Sequence, residues 1–213
     1  MDELMGRVPE HWTKTSLGDV ADVQAGHSNL RPYFLPLGAA GVGVVAASQV
    51  GRHGRVSDFS ARRVPDHVAA SMTRFRLRED DLVCVRSGEV ARAALVGPGQ
   101  DGWLVGTSCL RVRVRNGDRV SPRYLLHYLA HEEVRAWLVA RSSRSVISNL
   151  RTRTALDLPV LLPPPAEQRA IVEVLAALER KEEAHRRVAE ETGKLRTSLA
   201  DRLLTGTMHV TDG

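Results

Sequence analysis

"LLPPPAEQRAIVEVLAALE", residues 161–179, sets three consecutive prolines directly before a strong helix pattern. Pro163–Pro165 cannot continue a strand ladder, and they hold the chain extended. The last of them, Pro165, suits the first turn of a helix, and Glu167 suits the positive end of the helix dipole. The stretch therefore predicts a boundary at which a long helix begins.

Beyond this boundary, apolar residues recur at three- and four-residue steps over about five heptads, with apolar ends and a polar centre. Gly193 could kink or split the helix, and Gly206 is expected to end it. At 1.5 Å per residue, Glu167–Leu204 would span roughly 57 Å, too long to pack wholly on the preceding domain. We expect this stripe to contact a partner helix. Its members are Ile171, Leu175, Leu178, Val188, Leu195, Leu199 and Leu203.

The formal charge of +5 is concentrated before the prolines. Residues 1–162 contain 22 Lys and Arg against 16 Asp and Glu, whereas residues 163–213 contain 8 against 9. Of the 30 basic residues 27 are arginine, which suits bidentate contacts to phosphate and guanine, although a GC-rich genome would also enrich arginine. The charge favours a polyanionic partner without establishing one.

The chain is long enough, at 213 residues, for one domain with an appendage or for two small domains. No apolar run approaches the ~18 residues of a membrane span, and the N-terminus lacks the apolar centre of a secretory signal. Cys84 and Cys109 are too few for a disulfide framework or a four-thiolate metal site. We therefore expect a protein of the reducing cytoplasm without a membrane segment.

The region before the prolines is predicted to be β-rich. Residues 42–50 and 80–88 have the apolar centres of buried strands, and residues 110–118 alternate strictly between apolar and arginine. We expect the arginine face of this last strand to be solvated. It consists of Arg111, Arg113 and Arg115. Residues 121–140 predict one helix, capped by Ser121. The fold class is therefore α+β.

The sequence offers no convincing catalytic or metal site. The glycines of residues 38–45 are in the wrong order for a dinucleotide fingerprint. His127 and His131 have the spacing of metal ligands but no third ligand is indicated. The chain also lacks the Asn/Asp-Pro-Pro-aromatic tetrapeptide of amino-methyltransferases. Pro65-Asp66 is followed by Glu79-Asp80-Asp81 rather than by the acid-x-Lys pair of a common nuclease core. We expect no catalytic residue, no metal and no cofactor.

Polar loops and an arginine-rich segment supply candidate contacts to DNA. The loops at residues 24–31, 51–55 and 86–88 carry groups that can hydrogen-bond base edges, and residues 141–154 carry four arginines suited to phosphate. A solvated loop is the alternative interpretation of each cluster. The candidates are Gln24, His27, Ser28, Asn29, Arg52, His53, Arg55, Arg86, Ser87, Arg141, Arg144, Arg151 and Arg153.

Four stretches of the chain resemble specificity subunits of type I restriction-modification systems. "VPEHWTKTSLGDVADVQAG" (8–26) is similar to the opening of a target-recognition domain, and "DDLVCVRSGEVARAALVG" (80–97) to its middle. "ALDLPVLLPPPAEQRAIVEVLAALE" (155–179) resembles the junction with the spacer helix, and "LRTSLADRLLTGTMHV" (195–210) the end of that helix. They occur in the family's order over nearly the whole chain.

The resemblance implies a non-catalytic DNA-recognition subunit in phage defence. It implies a β-rich target-recognition domain (residues 1–160), a proline hinge (161–165), a spacer and dimerisation helix (166–205) and a tail (206–213). S-adenosylmethionine would be bound by a partner methyltransferase subunit, and a translocating nuclease subunit is a further expected partner. Because complete members carry two recognition domains, this chain resembles a half subunit that pairs with itself or another half to read a bipartite site.

Three alternatives remain open at the level of sequence. The chain could be a truncated remnant of a longer specificity subunit. It could instead be a basic coiled-coil adaptor that binds protein or RNA, or an autonomous nuclease or methyltransferase whose motifs are unrecognised.

Overall fold

The computed structural model describes residues 8–51, 53–142 and 149–208. The chain divides after Arg169 into two compact units. The strands of the first unit are β1 (Thr13–Ser16), β2 (Ala21–Ala25), β3 (Val42–Val45), β4 (Arg62–Val64), β5 (Leu82–Val85), β6 (Ala93–Leu95), β7 (Leu104–Val105), β8 (Cys109–Val114) and β9 (Pro159–Leu162). The helices are α1 (Leu17–Val20), α2 (Asp66–Ala70), α3 (Pro122–Ala130), α4 (Glu132–Arg141), α5 (Thr152–Leu156) and α6 (Pro165–Leu204).

The strands form three sheets. A four-stranded antiparallel sheet has the order β2-β8-β5-β6, and a three-stranded sheet has the order β4-β3-β7 with β3 and β7 parallel. Strands β1 and β9, from opposite ends of the first unit, pair antiparallel. The predicted α+β class, with a β-rich domain and a long C-terminal helix, is confirmed.

Two apolar clusters among the described residues contribute to the core of the first unit. One includes Val45, Val85 and Val105 from three strands, and the other packs α2 against β3, β4 and β7. Both cysteines are buried, and burial raises the pKa of Cys84 and of Cys109 to about 12. Their thiols are therefore neutral near pH 7, as expected of inert core cysteines.

The arginine face of β8 differs from its prediction, because the segment Arg74–Asp81 covers part of it. Arg113 donates to both carboxylate oxygens of Asp81, each at 2.7 Å, and Arg111 is buried. Only Arg115 remains well exposed, and it pairs with Asp22 at 2.8 Å. The prediction of a solvated arginine face was thus wrong for Arg111 and Arg113, since alternation along a strand cannot reveal what packs on its second side.

The single helix predicted over residues 121–140 is two helices. Ser121 caps α3 as expected, its Oγ accepting from the Tyr124 N–H at 3.3 Å. His131 then adopts an extended conformation between α3 and α4. No glycine or proline marks the break, but Glu132 and Glu133 occupy the first turn of α4, where acidic residues favour a helix start.

The proline stretch follows a strand and leads into an anchored helix start. Leu161 and Leu162, within the expected hinge, lie in β9 opposite Lys14 and Thr13. Glu167 accepts hydrogen bonds from the His11 and Trp12 rings at 2.7 and 3.0 Å.

Gln168 is the buried member of this junction, with 1% of its surface exposed. Its amide nitrogen donates to the Arg119 and Pro163 carbonyls, both at 2.9 Å. Its carbonyl oxygen accepts from the Ser121 N–H at 2.9 Å. Gln168 therefore joins the start of α6 to the start of α3 and to the proline segment.

Helix α6 has 40 residues and continues through Gly193, although a glycine at this position allows a kink or split. Its length is about 60 Å. Gly206, with a φ of 69°, ends the helix as predicted, because glycine adopts this left-handed conformation without a Cβ clash. Within the described residues, no helix is both long and apolar enough to cross a lipid bilayer.

We predict that Gln168→Ala destabilises the first unit by about 2–4 kcal/mol, because the substitution removes a hydrogen-bond partner from one buried and two part-buried backbone groups. Urea unfolding monitored by circular dichroism would measure the change. Arg169→Ala, at the exposed neighbouring position, is the matched control and should change stability by less than about 0.5 kcal/mol. Equal effects of the two substitutions would contradict the anchoring role.

Candidate nucleic-acid interface

The turn Gly106–Cys109 gathers the ends of three strands. The Gly26 N–H, after β2, donates to the Cys109 carbonyl at 3.0 Å, and the Gly106 N–H donates to Val45 of β3 at 2.9 Å. The Arg86 N–H, after β5, donates to the Ser108 carbonyl at 2.9 Å. We call this region the loop end. It comprises residues 26–29, 46–49, 86–92, 106–109 and 149–150.

A close backbone approach holds the loop end together. A Cβ on Gly26 would lie 1.9 Å from the Gly106 carbonyl oxygen, and a Cβ on Gly106 would lie 2.8 Å from the Val45 carbonyl oxygen. Any side chain at Gly26 must displace backbone, so glycine is required there by space.

Four predicted base-reading residues of the first polar loop lie in or beside the loop end. Gln24, in β2, donates to the Ala25 carbonyl at 2.7 Å and accepts from Arg74 at 3.0 Å. His27 forms an isolated β-bridge with Gly106, and its carbonyl oxygen accepts a hydrogen bond from the Thr107 hydroxyl at 2.6 Å. The His27 ring accepts a hydrogen bond from the Asn29 N–H at 3.1 Å. The predicted candidates Ser28 and Asn29 follow on the exposed surface.

Arg86 and Ser87 connect the loop end to the chain before α5. The Arg86 guanidinium donates to the Asn149 side chain at 3.1 Å, and its carbonyl accepts from the Leu150 N–H at 2.8 Å. Ser87 forms a bridge with Asn149. Both side chains are half-buried, so their positions are set by the fold rather than by a free loop.

The loop end carries more positive than negative charge. Its arginines are Arg86 and Arg92, and its one carboxylate within the described segments is Glu89, which is paired with Arg92. Arg92 also donates to the Ala47 carbonyl at 2.6 Å and so links two loops. The surface is therefore cationic and rich in hydrogen-bonding groups, properties suited to an anionic polymer with readable edges.

Other predicted DNA contacts lie elsewhere in the first unit. Arg55 forms an isolated β-bridge with Leu95 of β6, and Gly54 lies against Leu126 of α3. The exposed residues His53 and Arg55 therefore lie beside β6 and α3. The Arg141 guanidinium lies 4.3 Å from the centre of the Trp137 ring, at the end of α4.

The remaining candidates flank the loop end or lie outside the described residues. Arg151 is exposed and directly follows Leu150, whereas Arg153 pairs with Asp157 at 3.3 Å. Arg52 and Arg144 belong to the residues that the structure does not describe.

Sequence reasoning missed Arg74 and Phe75. They lie in a short 3-10 helix, Thr73–Phe75, and the Phe75 ring contacts the His27 ring edge-on with centroids 4.9 Å apart. The available signal was "TRFR" (73–76), in which an aromatic residue is interleaved with arginines. Across the described ranges, no group of three or more His, Cys, Asp or Glu side chains has metal-binding geometry.

The second unit presents the predicted partner stripe on α6. Leu178, Val188 and Leu195 expose 59%, 65% and 59% of their surface. Ile171 and Leu175 are half-buried, and Leu199 and Leu203 are also exposed. Large apolar side chains repeating along one helix face are typical of a surface that another helix covers.

We predict that Gly26→Ala destabilises the first unit by about 1–3 kcal/mol, because the added methyl group overlaps the Gly106 backbone. Thermal unfolding would measure this loss. Gly117→Ala is the control, since a Cβ at Gly117 meets nothing within 4 Å. A Gly26→Ala protein as stable as the control would refute the close approach.

No protein-family model matches the chain, and no curated protein matches it in sequence. Its fold is similar to a chain in a type I restriction-modification system, solved to explain complex assembly and conformational transition, with a TM-score of 0.69 at 19% identity. It is also similar to the S subunit from M. genitalium (0.62, 16%) and the HsdS subunit from Thermoanaerobacter tengcongensis (0.62, 18%).

These matches cover 94%, 96% and 94% of this chain but 47%, 49% and 46% of the other chains, in the same order. The chain thus spans about half the length of the structures it matches. At such low identities the likeness establishes the fold alone. The fold of this chain is similar to that of about half a type I restriction-modification specificity subunit.

Proposed function

We propose that this chain is a sequence-specific DNA-recognition subunit of a restriction-modification system and has no catalytic role of its own. The observation that carries the proposal is the loop end, where strand ends converge on a cationic surface built from hydrogen-bonding side chains. The fold likeness to specificity subunits supports placing DNA there, because recognition is the role that the name of those subunits implies.

The loop end and the adjacent Arg151 supply two kinds of DNA contact. His27 and Asn29 offer groups that suit base edges, whereas Arg86 and Arg151 offer cations that suit phosphates. The hydrogen bonds of Arg86 and His27 to neighbouring loops hold these groups in place before DNA arrives. Ordering them in advance reduces the conformational entropy lost on binding.

The proposed partners follow from the type I likeness. A methyltransferase subunit would bind S-adenosylmethionine and modify the DNA that this chain selects, and a translocating nuclease subunit would join in systems that cut. One similar chain comes from a study of complex assembly in a type I system, which supports assembly with other subunits.

The spacing of the α6 stripe supports pairing with a second copy in antiparallel orientation. The stripe positions lie at equal sequence distances on either side of His185. The two end pairs are both apolar, whereas each of the two central pairs sets an apolar residue opposite a polar one. These pairs are Ile171 with Leu199, Leu175 with Leu195, Leu178 with Thr192, and Glu182 with Val188. A two-fold axis at His185 would therefore place apolar ends of the stripe against each other.

Two paired copies would present two recognition domains and read a bipartite site. Two identical copies related by a two-fold axis favour an inverted-repeat DNA site, because such a site has the same two-fold symmetry. Pairing with a different half subunit would instead give an asymmetric site.

We predict that the purified chain binds duplex DNA with an affinity that falls steeply with salt. Arg151→Ala should reduce the slope of log Kd against log salt by about 0.9, the value for one lost phosphate contact. Fluorescence anisotropy over a salt series would measure it, with exposed Arg187→Ala in α6 as the control. Tighter binding to RNA than to duplex DNA would favour the alternative of a basic coiled-coil adaptor and would contradict the proposed DNA recognition.

We predict that Leu178→Cys protein forms a disulfide-linked dimer when mixed with Thr192→Cys protein, but not by itself. His185→Cys protein should cross-link to itself, because it lies on the proposed axis. Non-reducing gels would show the products, and the buried native cysteines should not contribute. A self-linked Leu178→Cys dimer would indicate parallel helices, and a monomer in analytical ultracentrifugation would rule out the second copy.

A further inference from the structure

We propose that Arg74 reads a guanine edge in the recognised DNA and that Gln24 and Phe75 are its positioning residues. This inference rests on the proposed function, because it assigns one base contact within the DNA-binding surface.

Hydrogen bonds from a buried arginine, Arg111, hold the backbone at Arg74 in place. The Arg111 guanidinium donates to the Arg74 carbonyl at 2.9 Å and to the Arg76 carbonyl at 3.2 Å. Arg111 is only 9% exposed, and it projects from β8 opposite Gln24 of β2. The short helix that carries Arg74 is therefore held against the two strands that lead into the loop end.

The Arg74 side chain is fixed as well, although it is exposed. Its Nη2 donates to the Gln24 Oε1 at 3.0 Å, and its guanidinium carbon lies 5.1 Å from the centre of the Phe75 ring. Gln24 is itself held by its hydrogen bond to the Ala25 carbonyl at 2.7 Å. Phe75 is half-buried and packs on both apolar clusters of the core. An exposed arginine is thus supported by an amide on one side and by an aromatic ring on another.

The Arg74 charge has no acidic partner among the described residues. In contrast, Arg92, Arg113, Arg115 and Arg153 each pair with a carboxylate. Gln24 is neutral and occupies one N–H of the five in the guanidinium. The remaining N–H groups keep their hydrogen-bonding capacity for an acceptor outside the chain.

A guanine edge fits this geometry better than a phosphate does. Guanine O6 and N7 accept two parallel hydrogen bonds from a planar guanidinium, a match that requires a defined orientation. A phosphate also accepts two hydrogen bonds from the guanidinium, but its oxygens are available from several directions. A guanine edge is available from one direction only, so it gains more from a guanidinium that is already oriented. The neighbouring His27 and Asn29 also carry the donors and acceptors that suit base edges rather than phosphates.

The test is selection of duplexes from a library with a randomised site, using the full chain and sequencing the bound pool. The variants are Arg74→Ala, Arg74→Lys and Gln24→Ala. Arg62→Ala is the matched control, because Arg62 is also exposed and its guanidinium also lies 5.1 Å from a ring, that of Phe34, without an amide partner among the described residues.

We expect the native chain to enrich a motif that contains at least one G·C pair at a fixed position. Arg74→Ala should lower discrimination at that pair roughly tenfold to a hundredfold and leave the other positions unchanged. Arg74→Lys should lose the same preference while keeping most of its total affinity, since it retains the charge without the fork. Gln24→Ala should weaken preference at the same pair, and Arg62→Ala should weaken none.

Two outcomes overturn the assignment while the proposed function stands. An unchanged motif for Arg74→Ala would mean that Arg74 reads no base, and an equal loss of affinity for all sequences would mean a phosphate contact. A different outcome separates the two proposals: a native chain that selects no motif at all would refute sequence-specific recognition itself.

Discussion

The amide of Gln168 bonds to two backbone segments: residues 119–121, which lie almost 50 positions away in the sequence, and the nearby Pro163. It bonds to the carbonyls of Arg119 and Pro163 and to the N–H of Ser121, and so fixes where α6 begins relative to α3 and the end of β9. One of these bonds is buried and two are part-buried, so a backbone group that lost its partner would bear all or part of the cost of desolvation. One glutamine, in the first turn of α6, serves as the partner of all three groups.

Arginine serves two separate purposes in the first unit. Arg111 and Arg113 stabilise the fold, because their guanidinium groups satisfy the carbonyls of Arg74 and Arg76 and the carboxylate of Asp81. Arg74 and Arg86 instead combine exposed or half-exposed charge with neutral hydrogen-bond partners. The distinction matters for function, since an arginine neutralised by a carboxylate has little charge left for a polyanion.

The two proposed surfaces belong to different units and use different physics. The loop end offers charge and oriented hydrogen bonds, which suit recognition of DNA. The α6 stripe offers apolar area on a helix face, which suits a partner helix. A subunit that selects a DNA site and also sets the spacing between two recognition domains needs both kinds of surface. The division into these surfaces matches the fall in net charge from the region before the proline stretch to the region after it.

The sequence by itself determined the α+β class, the helix that starts at Pro165 and ends before Gly206, the apolar stripe along it and the cationic character of the region before it. These features follow from local patterns, because proline, glycine and heptad spacing act through neighbouring residues. Only the tertiary structure decided that Arg111 is buried, that residues 121–140 form two helices and that Arg74 lies against Gln24. The burial of Arg111 and the position of Arg74 depend on contacts between residues as many as 50 positions apart. No periodicity along one strand reports what packs against its other face.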